Sequence, residues 1–313
     1  MARQEENTGF EQLKRELKQK TVGSFYVFCG SEAYLRTAYL QRLHELLIEP
    51  FAEEFNFHRF NGDNLTPQAL SESLNALPML SERTIIQIDD VDFFRMNEED
   101  RKTYGTLFAE IPTDCTVVLV YDTVEYAPLK KDKYLFETMS KALVVSFSQP
   151  SERELCGWVA RHFKPHGKTL TYDTCVYLIS RTGGDMTTLS GEIEKIAAYE
   201  SGDVITREDV DAVVESVLEA KIFDLTDALC EGDFDRAMRE LFVLLQRQEI
   251  PNAILSSISG QFRRIQMAKI LSSRGMLPSD LVKFGISSYP AQKAFAYARK
   301  LSDKFCDAAV LHC

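Results

Sequence analysis

A parallel α/β domain followed by an all-helical remainder is the fold class that this 313-residue sequence predicts. Three observations carry it. In the first half, short apolar runs alternate with stretches of helical period. The gaps between those runs are long enough for the crossover helices that parallel strands require. After about residue 150 the strand period disappears and only helical spacing continues.

Taken in order, "SFYVFCG" (24–30), "FNFHRF" (55–60), "RTIIQID" (83–89), "CTVVLVY" (115–121) and "ALVVSF" (142–147) read as strands. Three of them are nearly continuous in apolar residues, as strands covered on both faces must be. Between them, Leu35, Tyr39, Leu43 and Leu46/Leu47 recur at helical spacing after Gly30. Thr66-Pro67 supplies an N-cap and a first-turn proline, with Leu70, Leu74 and Leu77 along one face. Asn97 can cap a helix running to about Glu110.

Beyond "QPSERELCGWVARHF" no strand is expected. Ser151 with Glu154 forms a capping box, Gly183-Gly184 stops a helix, and Asp185 starts one whose apolar positions are Leu189, Ile193 and Ile196. Thr206 with Asp209 opens another. Gly232-Asp233 reads as stop-then-start, Pro251 opens a long helix, and Pro278 and Pro290 open shorter ones. The expected organisation is an α/β domain over 1–148, a helical domain over 149–216 and a second helical domain over 217–313.

Composition excludes several classes of function. A formal net charge of −11 disfavours a chain that holds nucleic acid by bulk charge, although a local basic face remains open. No apolar run approaches the roughly 20 residues of a spanning helix, and "MARQEENTGFEQLKRELKQK" lacks the apolar stretch of a secretory signal. The chain reads as cytoplasmic, with no membrane partner. The seven cysteines, none in C-x-x-C spacing, read as reduced core residues, and Pro165 breaks the chain between His162 and His166. No metal site and no cofactor are expected.

The stretch "GSEAYLRT" lies over the phosphate-loop pattern G-x-x-x-x-G-K-[ST]. Gly30 and Thr37 match, but Leu35 stands at the second glycine and Arg36 at the lysine. Glu32 adds a negative charge where an anion would bind, and Leu35 denies the backbone a close approach. Arg36 keeps the charge in a bulkier, planar form. Asp89-Asp90 ends the third strand as a magnesium-binding acid pair would, although two exposed acids at a strand end make the same pattern. These residues point to the scaffold of a phosphate loop without its chemistry, and hence to no catalytic residues.

"FYVFCGSEAYLRTAYLQRL", "TGGDMTTLSGEIEKIAAY" with "ITREDVDAVV", and "IFDLTDALCEGDFDRAMRELFVLLQRQEIPNAILSSISGQFRRIQMAKIL" follow one another in a familiar order. With them the chain resembles the delta subunit of the bacterial DNA polymerase III clamp loader from about residue 20 onward. The resemblance implies an AAA+-like α/β domain, a helical lid and a helical collar. Thr187 stands where ATPases of that fold carry a phosphate-contacting arginine. The implied work is non-catalytic: binding the beta sliding clamp and favouring its opened ring for loading on primed DNA. The implied partners are that clamp, the motor subunits and delta prime through the collar, and primed DNA within the complex.

The resemblance also places the clamp contact. In that family it is an apolar pair after the helix that precedes the third strand, and Met79 and Leu80 occupy those positions. Pro78 would break the helix and leave both side chains on a turn, and a flexible Met suits an adaptable surface. The family's aromatic second residue is Leu here. The alternative is that Met79 and Leu80 cap the core beneath the sheet. Arg263 and Arg264, with Lys269 and Arg274, place positive charge along the long helix, as a DNA or partner contact or as a solvated face. The resemblance implies a further helical segment beyond "AAVLHC". An active AAA+ ATPase and the delta prime subunit are the alternatives. The zinc-type cysteine cluster and Ser-Arg-Cys motif usual in delta prime do not occur here.

Overall fold

The structure, a computed structural model, describes residues 2–129 and 133–312, with the backbone alone at 2–7 and 219. The chain divides into two compact units, Met1–Gln149 and Pro150–Cys313. The first begins with α1 (Ala2–Gln19), β1 (Phe25–Cys29), α2 (Ala33–Leu47), a single turn α3 (Glu53–Asn56) and β2 (Phe57–Phe60). It continues with α4 (Pro67–Leu74), β3 (Thr84–Asp89), α5 (Glu98–Ala109), β4 (Cys115–Val120), α6 (Lys133–Met139) and β5 (Leu143–Ser146).

All five strands are parallel, in the order β2-β3-β4-β1-β5. Side chains alternate across a strand, so β1 and β4 each feed two cores. Phe25 and Val27 of β1, Ile86 and Ile88 of β3, and Val117 and Leu119 of β4 pack with Leu70, Tyr104, Phe108 and Leu135 on one face. Tyr26, Phe28, Val118, Val120 and Val145 pack with Leu13, Leu43 and Phe147 on the other. The near-continuous apolar runs of β1, β3 and β4 are explained by this double burial.

The second unit begins with α7 (Glu152–Phe163), β6 (Thr169–Leu170), α8 (Tyr172–Thr182), α9 (Met186–Tyr199), β7 (Val204–Ile205) and α10 (Arg207–Val213). Then follow α11 (Leu218–Glu231), α12 (Phe234–Gln246), α13 (Pro251–Ser273), α14 (Pro278–Val282), α15 (Ser288–Lys300) and α16 (Asp303–His312). The later helices bury Ile222, Leu225, Leu244 and Ile254 in one cluster and Phe262, Ile265, Leu281, Phe295 and Cys306 in another. Arg181 of α8 donates through Nη1 to both carboxylate oxygens of Asp224 on α11, at 2.9 and 2.8 Å. Ser288 N–H donates to the Glu152 carboxylate at 2.8 Å.

Several sequence expectations are corrected. A two-stranded parallel sheet, β6 with β7, exists after residue 150, and two residues per strand are too few to carry a period. Residues 53–56 form a helical turn, so the strand expected over 55–60 starts at Phe57. Leu77 lies beyond the end of α4 and is exposed, because Asn75 already closes the helix. Pro290 sits within α15, whose first residue is held by Glu152. Cys29 and Cys230 are half-buried, Cys115, Cys156, Cys175 and Cys306 are buried, and all six are free thiols; Cys313 lies outside the described residues. Helix α1, over Ala2–Gln19, is not foreseen from the sequence because polar residues dominate it.

That first helix reaches the sheet closely. A Cβ placed on Gly9 would lie 2.0 Å from the carbonyl oxygen of Val144 in β5. Alanine is the better helix former by about 1 kcal/mol, yet here it would push α1 off the sheet. Gly9→Ala is therefore expected to destabilise the protein by about 1–3 kcal/mol, read as a lowered urea midpoint. An unchanged or raised midpoint would contradict this packing.

Candidate functional site

Two places in the first unit hold the residues singled out in the sequence, and the loop after β1 is the first. Gly30 adopts φ +110°, and a Cβ there would meet Phe147 O at 2.5 Å and Phe147 N at 2.7 Å. Only glycine fits this turn. Glu32 N–H donates to Phe147 O at 2.8 Å, drawing the loop against the end of β5. The Glu32 side chain, itself buried, caps α2 by accepting the Tyr34 N–H at 3.2 Å. A carboxylate of the chain thus occupies the helix N-terminus where a phosphate would sit.

Leu35 turns into the core that lies against α1, among Phe10, Tyr39 and Leu40, and Thr37 is exposed. Arg36 is only 4 % exposed. Its Nη1 donates to Gly30 O at 2.7 Å, and its Nη2 pairs with the exposed carboxylate of Asp122 after β4. The charge at the lysine position is therefore turned inward and neutralised.

The acid pair after β3 is also engaged, which corrects the reading of two exposed strand-end acids. Asp89 accepts from Arg59 Nε at 2.6 Å and from Gln87 Nε2 at 2.6 Å. Asp90, at φ +53°, accepts the backbone N–H groups of Asp122, Thr123 and Val124 at 2.7, 3.0 and 3.2 Å, and the Thr123 hydroxyl at 2.9 Å. Burial alone would raise its carboxyl pKa. The hydrogen bonds from Asp122, Val124 and Thr123 overcome burial and hold it below the ordinary carboxyl value. Asp90 fixes the 122–124 turn, and Asp122 on that turn fixes Arg36. Neither Asp90 in this role nor Asp122 stood out in the sequence; both partners lie more than thirty residues away.

The second place is the turn between α4 and β3. Met79 and Leu80 are 53 % and 73 % exposed, Leu77 is exposed beside them, and Pro78 is half-buried. The core-cap alternative for Met79 and Leu80 does not describe this turn. The helix has already ended at Asn75, so Pro78 does not terminate it. Leu80 adopts φ +58°, an uncommon region for a branched side chain. Phe51 and Phe55, on the segment that precedes β2, are exposed as well. Several large apolar side chains thus stand in water in this part of the unit, as they do on surfaces that meet a partner.

In the second unit, Arg263 is exposed on α13 and Arg264 lies 6.0 Å over the Phe223 ring. Lys269 is not part of a solvated basic stripe. Its Nζ donates to Ala298 O at 3.0 Å and to Leu301 O, capping the end of α15, and pairs with Asp303 at 3.1 Å. Thr187 is exposed in the first turn of α9. Among the described residues no group of three His, Cys, Asp or Glu side chains is placed to hold a metal ion, and no helix is long and apolar enough to cross a membrane.

Known proteins resemble this chain throughout. The family model for "DNA polymerase III, delta subunit" matches residues 26–148, and that for its C-terminal domain matches 219–313, together more than half of the chain. The DNA polymerase III subunit delta of Bacillus subtilis is 23 % identical over 83 % of this chain and 77 % of its own length. A probable subunit delta of Aquifex aeolicus is 24 % identical over 86 % of this chain and 77 % of its own. The solved Bacillus subtilis DNA clamp loader delta protein superposes with a TM-score of 0.56 at 19 % identity, covering 97 % of this chain and 91 % of that one. The likeness in structure shows that the two share a fold, here a parallel α/β unit followed by helical elements.

Two measurements check the loop. Arg36→Met is expected to destabilise the protein by about 1–3 kcal/mol, since it leaves Gly30 O without its buried donor. A denaturant midpoint equal to wild type would contradict this. Asp90 binds a proton less readily in the folded protein than the ordinary value of 3.8, so its contribution is complete above that value and is lost as pH falls through the lower folded value. Wild type is therefore expected to lose stability more steeply than Asp90→Asn below about pH 4, and parallel profiles would contradict the assignment.

Proposed function

The chain belongs to the delta-subunit family of bacterial DNA polymerase III, and from that premise we propose that it is the clamp-binding, nucleotide-independent member of the clamp loader. The single observation that carries this reading is the pair Met79 and Leu80, held in water on a turn by a folded scaffold. They form the wedge that enters an apolar pocket on the beta sliding clamp. Such a pair is sufficient for the centre of an interface, where a few apolar anchors dominate the energy.

The wedge does not have to force the ring apart. It has to bind the opened clamp more tightly than the closed one, and a hundredfold preference shifts that equilibrium by about 2.7 kcal/mol. Energy to expose or release the wedge enters through motor subunits that bind ATP. The loop of Gly30, Leu35, Arg36 and Thr37 is degenerate in this chain: Glu32 caps the helix, and Arg36 is committed to Gly30 and Asp122. A nucleotide would have to displace both, so the subunit is non-catalytic and takes no cofactor.

By function the chain after the α/β domain divides into a lid over 149–216 and a collar over 217–313 that joins the motor subunits and delta prime. Arg263 and Arg264 lie on the collar's long helix, where they meet primed DNA or a partner surface. The protein works in the cytoplasm, at the replisome.

Binding of the whole chain to purified sliding clamp without nucleotide tests this. Submicromolar affinity is expected, and Met79→Ala/Leu80→Ala is expected to weaken it by about a hundredfold or more, as two interface anchors would. Equal binding by the double variant would move the contact elsewhere. Tight ATP binding that Arg36→Ala abolishes would instead favour an active ATPase.

A further inference from the structure

Asn56, the last residue of α3, is fully buried at 0 % exposure, and its side chain faces the peptide of Met79. Its Nδ2 donates to Met79 O at 2.7 Å and to Ala52 O at 2.8 Å, and its Oδ1 accepts the Met79 N–H at 2.7 Å. One side-chain amide therefore pairs with both backbone groups of Met79 as a neighbouring strand would. Two residues further on, Ser81 Oγ accepts the Glu49 N–H at 3.4 Å. The turn is gripped on either side of Leu80, the residue with the left-handed backbone. That conformation persists only where its surroundings dictate it.

Met79 lies in neither a helix nor a strand, so these hydrogen bonds hold no regular element together at that end. Their effect is to fix a turn whose side chains project into water. An apolar anchor fixed before binding loses less freedom on docking than a mobile one. We propose that Asn56 is a positioning residue for the clamp contact: its amide pre-forms the 78–81 turn so that Met79 and Leu80 stand ready to enter the clamp. This rests on the reading of Met79 and Leu80 as that contact.

The test compares four full-length chains for binding to purified sliding clamp without nucleotide: wild type, Asn56→Ala, Met79→Ala/Leu80→Ala and the triple variant. Hydrogen exchange is followed at the Met79 amide and at the β3 amides. Loss of preorganisation is expected to weaken Asn56→Ala about tenfold, with faster exchange at Met79 and unchanged protection in β3. In the Met79→Ala/Leu80→Ala background the same change is expected to have almost no effect on the residual binding measured at high clamp concentration. Wild-type affinity in Asn56→Ala, or equal losses in both backgrounds, would overturn the proposal while leaving the wedge intact. Wild-type affinity in Met79→Ala/Leu80→Ala would overturn the wedge, and the role of Asn56 with it. Should Asn56→Ala lose β3 protection and so fail to fold, Asn56→Asp keeps the size and the acceptor but no donor. It is expected to bind more weakly too, and unchanged affinity would overturn the proposal.

Discussion

The Arg36 guanidinium, buried at the start of α2, reaches the carbonyl of Gly30 after β1 on one side and Asp122 after β4 on the other. Asp122 is held in turn by Asp90, just beyond the end of β3, whose carboxylate gathers three successive backbone N–H groups after β4. Three strand ends are thereby joined by three side chains, Arg36, Asp122 and Asp90, at the edge where parallel α/β sheets place their ligands. With Phe147 accepting from Glu32, the fourth neighbouring strand is drawn in as well. Glu32, Arg36, Asp90 and Asp122 thus find their partners within the chain. These contacts tie the strand ends together at one end of the sheet. The exposed turn before β3 lies at the opposite end of that strand and is held instead by Asn56.

Much of this was legible from residue pattern. The runs that become β1, β3 and β4 are apolar throughout because helices cover both faces of the sheet, and that is a property of each segment alone. Caps at Thr66, Asn97, Ser151, Asp185 and Thr206 were readable for the same reason: donor and acceptor lie three residues apart. The departures from the phosphate-loop pattern at Leu35 and Arg36 were visible in the sequence, but the direction in which Arg36 points was not. Whether Arg36 faces a phosphate or Gly30 depends on Asp122, eighty-six residues on.

The same limit explains what pattern missed. "FNFHRF" alternates well enough to read as one strand, and Asn56 within it looks like an ordinary polar position. Its partner is the backbone of Met79, which carries no residue-specific signal. Asn56 does leave one trace, an amide flanked by two phenylalanines at a strand's expected start. Lys269 reads as one of a basic stripe until the end of α15 is known to lie against it. Helix α1 is polar in composition, and its close approach to β5 depends on a single glycine.

If energy for clamp loading comes from other subunits, this chain needs only a surface that is complementary to the clamp and already shaped for it. Under the proposed reading, exposed apolar side chains on a turn fixed by buried hydrogen bonds meet that need and mark where the two proteins would touch. The most direct measurement is photo-crosslinking from position 77, replaced by a benzoylphenylalanine in an otherwise unaltered full-length chain, mixed with purified sliding clamp and no nucleotide. Leu77 is exposed beside the proposed wedge, and its replacement leaves Met79 and Leu80 intact. The account predicts a covalent adduct with the clamp, competed away by unlabelled chain. Binding to the clamp without an adduct from this position, with adducts from a probe elsewhere on the chain, would contradict it.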